Sequence, residues 1–101
     1  ALLDVKRGIK MFDKLNVKIL GLVDNMSFFK GDDGKNYKIF GEGGVRRAAE
    51  EFKKEFLGEI PLNPAVGKAS DNGKPIVEEN SDHEISKIYF RFAEKIKSTY
   101  L

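Results

Sequence analysis

The chain reads as an α/β protein, with parallel strands flanked by helices and a small β-hairpin. Three observations predict it. Two apolar runs, Val17 to Ser27 and Phe56 to Pro64, each end in a polar elbow; a glycine cluster, Phe40 to Gly44, lies between them; and that cluster opens an amphipathic stretch. The order strand, long loop, helix, strand is one βαβ unit, in which the strands are parallel and the crossover right-handed. Such a unit sets Asp24-Asn25 and Pro61-Leu62-Asn63 at one carboxyl edge of the sheet, where open α/β sheets bind small ligands.

Each element has a local cause. From Leu2 to Leu15 the residues Leu2, Val5, Ile9 and Phe12 recur at helical spacing with charged residues on the other face, and Asn16 is a stop signal. Val17 to Val23 is rich in branched residues and is expected to be a mostly buried strand, with Gly21 marking a close approach of another backbone. Lys30-Gly31-Asp32-Asp33-Gly34-Lys35 between aromatic arms, Ser27 to Phe29 and Tyr37 to Phe40, predicts a hairpin turned by Asp33-Gly34. Val45, Ala48, Ala49 and Phe52 then share one face of a helix whose amino end is the glycine cluster. A strand follows from Phe56 to Ile60, stopped by Pro61, and a short helix over Ala65 to Ser70 ends at Asp71-Asn72-Gly73. Ser81 and Glu84 read as a capping box for a last helix carrying Ile85, Ile88, Tyr89, Phe92, Ile96 and Tyr100 on one stripe.

Bulk properties narrow the function. The 101 residues, 41% hydrophobic, allow one domain at most, and two short parallel strands make a thin core. A single partial domain over 1–101 is therefore expected, and a start at Ala1 on a helical pattern fits an excised segment. A net charge of +2, evenly spread, argues against a nucleic-acid surface. No apolar run is long enough for a bilayer and no leader pattern is seen, so no membrane and a cytoplasmic location are expected. The absence of cysteine excludes disulfides and thiolate-bound zinc or iron–sulfur sites within these residues.

Few residues carry chemistry. Gly41-Glu42-Gly43-Gly44 precedes a helix and could offer amides to an anion, but Val45-Arg46-Arg47 lacks the Lys and Ser/Thr of a P-loop, so a tight turn explains the glycines better. Asn25 just past a strand presents a paired donor and acceptor, the complement of a purine edge; an Asn capping its own loop is the commoner use. Pro61 and Leu62 could wall a base, or Pro61 could simply end the strand. His83 stands alone at a helix start and reads as a capping-region residue. Asp32 and Asp33 read as turn residues, and neither a catalytic nucleophile–base pair nor a metal site is proposed.

Taken together, ALLDVKRGIKMFDKLNVKILGLVDNMSFF, YKIFGEGG, FLGEIPLNP and KASDNGKPIV resemble the carboxyl-terminal part of the Mrp family, MinD-like P-loop ATPases related to Nbp-type iron–sulfur scaffold and carrier proteins. The resemblance implies the carboxyl-terminal part of a Rossmann-like P-loop NTPase fold, with Asn25 reading adenine and Pro61 and Leu62 flanking the ring. It places the glycine loop, its lysines and the Mg²⁺ carboxylate in an amino-terminal half, so ATP and Mg²⁺ belong to the full-length protein and this chain alone should be inactive. Many members carry a Cys-x-x-Cys pair where this sequence has Lys30-Gly31-Asp32-Asp33-Gly34, which argues against an iron–sulfur cluster bound here in the usual way.

The partners implied are the missing P-loop half, a second subunit in a homodimer or edge-paired oligomer, and iron–sulfur acceptor proteins. Two rival readings follow from the same residues. One is a non-enzymatic interaction module, since Val17 to Val23 would expose an unpaired strand edge. The other is a MinD- or ParA-like positioning ATPase, which Lys95 to Leu101 supports poorly because it makes no basic membrane-targeting helix.

Overall fold

The computed structural model describes residues 2–38 and 43–101, in the order α1 (Leu2–Lys14), β1 (Leu22–Lys30), β2 (Asn36–Tyr37), α2 (Gly44–Glu51), β3 (Phe56–Leu62), α3 (Pro64–Asp71), α4 (Ile76–Glu79) and α5 (Glu84–Tyr100). The sheet runs β2-β1-β3, with β1 parallel to β3 and antiparallel to β2. The α/β class, the parallel pair and the hairpin are all present. Of the hairpin's second arm, Ile39 and Phe40 lie outside the described residues, as do Gly41 and Glu42 of the glycine cluster.

Strand boundaries differ from the sequence reading. The first strand begins at Leu22 rather than Val17 and continues through the expected elbow to Lys30. Its ladder starts where its partner does, with the Leu22 amide donating to the Glu55 carbonyl oxygen at 2.8 Å. Val17 to Gly21 have no described strand beside them and stay outside the sheet. Gly21 does mark a close approach, but by a side chain: a Cβ there would lie 2.7 Å from Cγ of Leu57. β1 is the central strand, but among the described residues its side away from β3 is paired only at Phe29 and Lys30. The second strand runs two residues further, to Leu62, so Pro61 lies inside it rather than ending it. Proline is tolerated there because β3 is an edge strand among the described residues.

Helix ends follow a common device. After α1, α2 and α3 the chain turns through left-handed Asn16, Lys53 and Gly73, and the next amides, of Val17, Lys54 and Lys74, reach back to the carbonyls of Phe12, Ala49 and Ala69. This six-to-one closure satisfies carbonyls that the helix leaves open. Gly43, at φ 68°, takes a left-handed turn directly before α2.

The capping box expected from Ser81 and Glu84 is not formed. Asn80 makes a local turn instead, its side chain accepting from the Asp82 amide at 3.2 Å and its carbonyl from the His83 amide at 3.2 Å. The helix therefore starts later, with His83 as cap: its Nδ1 accepts the Ile85 amide at 3.0 Å. The short helix α4, set off by Pro75, was not expected from the sequence, because four residues are too few to show a period.

The main core lies between β3 and helices α3 to α5, around Ile60, Ala69, Ile76 and Ile85, with Val23, Ile88 and Phe92 packed against it. Ser86, fully buried, donates to the carbonyls of Ile76 and Asn80 and ties α5 to α4. On α5 the apolar stripe holds at Ile85, Ile88 and Phe92, whereas Tyr89 turns away and is exposed. Helix α2 packs on β1 and β3 through the other face, burying Ala48 and Ala49, and α1 packs on α2. The ion pair Lys6–Glu51 at 2.8 Å joins these two helices, and Lys54–Asp13 at 2.9 Å ties α1 to the turn after α2.

Candidate functional site

The site grows from the parallel register. Asp24 lies opposite Glu59 and Asn25 opposite Ile60, so Asn25 stands beside the residue that precedes Pro61. Beyond Asn25 the pairing slips, and the next match is Phe29 with Leu62. Three residues of β1 thus oppose the single Pro61. Proline has no amide to donate, which removes a rung of the ladder at this point. The bulge passes through Met26 in a left-handed conformation, φ 56°, and such bulges re-aim side chains at sheet rims. Asn25 and Met26 are exposed, while Ser27 is buried and its hydroxyl has no partner among the described residues.

Beside the bulge is a cavity of about 670 Å³. Phe28, Phe29, Pro61, Leu62 and Ile88 form its apolar walls, and Glu59, Asn63 and Glu84 supply polar atoms. Its volume is within the range of small-molecule sites, roughly 300–1,000 Å³, and so is its make-up of apolar walls with few polar groups. Of the residues expected to hold adenine, Pro61 and Leu62 line this cavity. Asn25 does not; it lies on β1 opposite Ile60, one residue before the bulge.

Charges at the rim are coupled. Lys38 binds Glu59 at 3.3 Å and also lies 5.2 Å over the Phe28 ring. Partial burial, and then the Glu59 carboxylate opposite, push the Asp24 carboxyl above its ordinary 3.8, with Lys38 opposing. A carboxyl raised in the folded state stabilises the fold below the unfolded value and loses that contribution as pH rises through the folded one. Asp24→Asn is therefore expected to raise the urea midpoint at pH 7 and to give no gain near pH 3. An equal gain at both pH values would contradict this origin.

The hairpin turn is self-contained. Asp33 accepts the Lys35 amide at 2.9 Å and the Tyr37 hydroxyl, and the tyrosine bond, followed by the amide, holds its carboxyl below the usual range. This agrees with a turn role for Asp33. Asn63, which lines the cavity, also caps α3: its side chain accepts the Ala65 amide at 2.9 Å, with Pro64 opening the helix. Asn before Pro at a helix start was the available signal. Glu59, Glu84 and Lys38 carried no such signal, because tertiary packing alone gathers them.

A family model described as NUBPL iron-transfer P-loop NTPase, of the ParA group, matches residues 1–97. The chain belongs to this family. Among NUBPL-type P-loop NTPases it is 39% identical to the iron-sulfur cluster carrier protein of Aquifex aeolicus, over 92% of this chain and 26% of that protein. It is 42% identical to the carrier protein of Saccharolobus solfataricus, over 93% of this chain and 32% of that protein. It is 38% identical to the iron-sulfur cluster transfer protein NUBPL of Mus musculus, over 95% of this chain and 30% of that protein.

The chain thus spans about a third or less of the length of these relatives. A nucleotide-binding protein from Archaeoglobus fulgidus, solved in complex with ADP, superposes with a TM-score of 0.58 at 35% identity, covering 69% of this chain and 29% of that one. The family and the P-loop NTPase fold anticipated from the motifs are those found. No helix of the described residues is long and apolar enough to cross a membrane.

Proposed function

We propose that these residues are the nucleobase-reading part of an Mrp-type ATP-binding protein that carries iron–sulfur clusters in the cytoplasm. The observation that carries this reading is the juxtaposition at the carboxyl ends of β1 and β3. Asn25 is in register with Ile60, the next two residues, Pro61 and Leu62, wall a cavity large enough for a purine nucleoside, and the chain is 35% identical to a protein solved with ADP. In this reading Asn25 offers its amide to the polar edge of adenine while Pro61 and Leu62 cover the faces of the ring.

Phosphate and Mg²⁺ are handled elsewhere. Phosphoryl transfer depends on positioning and charge stabilisation by P-loop amides, a lysine and metal ligands, and this sequence supplies no such loop. Among the described residues no three His, Asp or Glu side chains converge on a metal site. The amino-terminal P-loop half is the proposed partner for hydrolysis, and these residues alone are inactive. The cluster is cargo rather than a resident group, and with no cysteine in this chain its thiolates come from outside it. Acceptor iron–sulfur proteins and a second subunit are the remaining partners proposed.

Titration of the full-length protein with a fluorescent adenine nucleotide tests the reading. A bidentate Asn–adenine contact is worth about 1–3 kcal/mol, so Asn25→Ala should weaken ADP roughly 5- to 150-fold. The same substitution, at an exposed position, should leave the melting temperature nearly unchanged. Unaltered ADP affinity in a folded Asn25→Ala protein would refute the assignment.

A further inference from the structure

The cavity beside the bulge carries an uneven set of hydrogen-bonding groups. Lys30, Asn36 and Glu84 reach it from exposed positions, whereas Glu59 and Asn63 are half-buried. The side-chain oxygen of Asn63 is taken by the Ala65 amide at 2.9 Å, so its nitrogen is what remains, and it can only donate. Glu59 is the half-buried acceptor. Its register partner Asp24 does not line the cavity.

The Glu59 carboxylate is also held in place. Lys38 Nζ donates to Glu59 Oε1 at 3.3 Å, and the same ammonium lies 5.2 Å over the ring of Phe28, an apolar wall of this cavity. One cation thus ties the far side of the hairpin to β3 and sets the carboxylate against the aromatic wall. No described residue bonds the other oxygen, Oε2. An acceptor fixed in this way gives up little side-chain freedom when a ligand arrives.

We infer that Glu59 selects the base by its exocyclic group, Oε2 accepting the 6-amino group of adenine, and that Lys38 is the positioning residue that holds it. The inference rests on the reading that an adenine nucleotide occupies this cavity. A 6-oxo purine sets a carbonyl oxygen against the carboxylate, and two acceptors with no proton between them repel. Asn25 does not make this distinction by itself, since a primary amide turns either its oxygen or its nitrogen toward a base. A carboxylate has no such choice. Two carboxylates on one cavity also disfavour phosphate, so the base end of the nucleotide is the end that enters.

Competition binding on the full-length protein tests this, with ADP against inosine 5′-diphosphate, which has an oxygen in place of the amine. The parent should bind ADP roughly 10- to 100-fold more tightly, as expected for a hydrogen bond to a charged group. In Glu59→Gln, whose side chain can donate to that oxygen, the preference should fall to about threefold or less. Lys38→Met should lower the preference by about threefold, and Lys38→Arg, which keeps the ion pair and the ring contact, should restore it. Melting temperatures of the variants separate lost positioning from lost fold. Equal binding of the two nucleotides by the parent overturns the inference and leaves the nucleotide reading standing. An unchanged preference in Glu59→Gln also overturns it, assigning the discrimination to Asn25 or Glu84, and an unchanged preference in Lys38→Met removes the positioning role. A protein that binds neither nucleotide refutes the reading and the inference together.

Discussion

Gly58→Ala is expected to destabilise the protein by about 2–4 kcal/mol. Two costs fall on the same atom. Gly58 has φ 147°, a conformation that L side chains rarely adopt, and a Cβ on it would lie 2.9 Å from Cε1 and 3.3 Å from Cζ of Phe92. Strained backbone of this kind costs about 1–3 kcal/mol, and forcing a packed ring aside costs a similar amount. Phe92 cannot retreat freely because it packs against the Ile60–Ile85 core. The lesion reaches the site, since Gly58 precedes Glu59 and lies three residues before Pro61. Urea denaturation gives the measurement, and Gly67→Ala is the control: that glycine is in α3 with open space around it and should gain up to about 1 kcal/mol. A Gly58→Ala protein as stable as its parent would show that the bend in β3 is not imposed by the fold.

Ile85→Ala should cost about 3–4 kcal/mol. Ile85 is wholly buried, and truncating such a side chain loses its transfer energy and leaves a cavity, typically 2–5 kcal/mol in total. It contacts the one cluster that joins β3 to α3, α4 and α5, so no neighbouring element can close the gap alone. Tyr89→Ala on the same helix, at a residue 38% exposed, should cost well under half as much. The two midpoints, compared at equal urea slope, decide the matter: a loss below about 1 kcal/mol for Ile85→Ala would mean that α5 is not held by this core.

The sequence and the structure agree most closely where the cause is local. Ile9 and Val5 at helical spacing, Asn16 as a left-handed stop, Asp33-Gly34 as a turn and Val45 to Ala49 as a buried helical face all depend on residues within a few positions of one another. The parallel relation of β1 and β3 was legible as well, because the intervening helix forces a crossover. Disagreement enters where a distant partner decides. Phe12 belongs to the apolar stripe by spacing yet is 42% exposed, because α1 packs on α2 and buries the side that carries Ile9.

For the candidate site, Pro61 and Leu62 could be named from the elbow after an apolar run, and Asn25 from its place beyond another. Their mutual placement could not. It depends on a slip in register around Pro61, and on Glu59, Glu84 and Lys38 arriving from separate elements. That His83 rather than Ser81 caps α5 was likewise not set by the local pattern, since the turn at Asn80 decides where the helix starts.

The order of residues alone settled the class of fold, the family and the parallel direction of its two main strands, because periodicity, turn chemistry and motif order act over short stretches of chain. Tertiary structure decided where each ladder begins, which faces are covered and how the cavity is walled. Backbone pairing and burial require a second surface, and the position of that surface is set by residues far away in the chain.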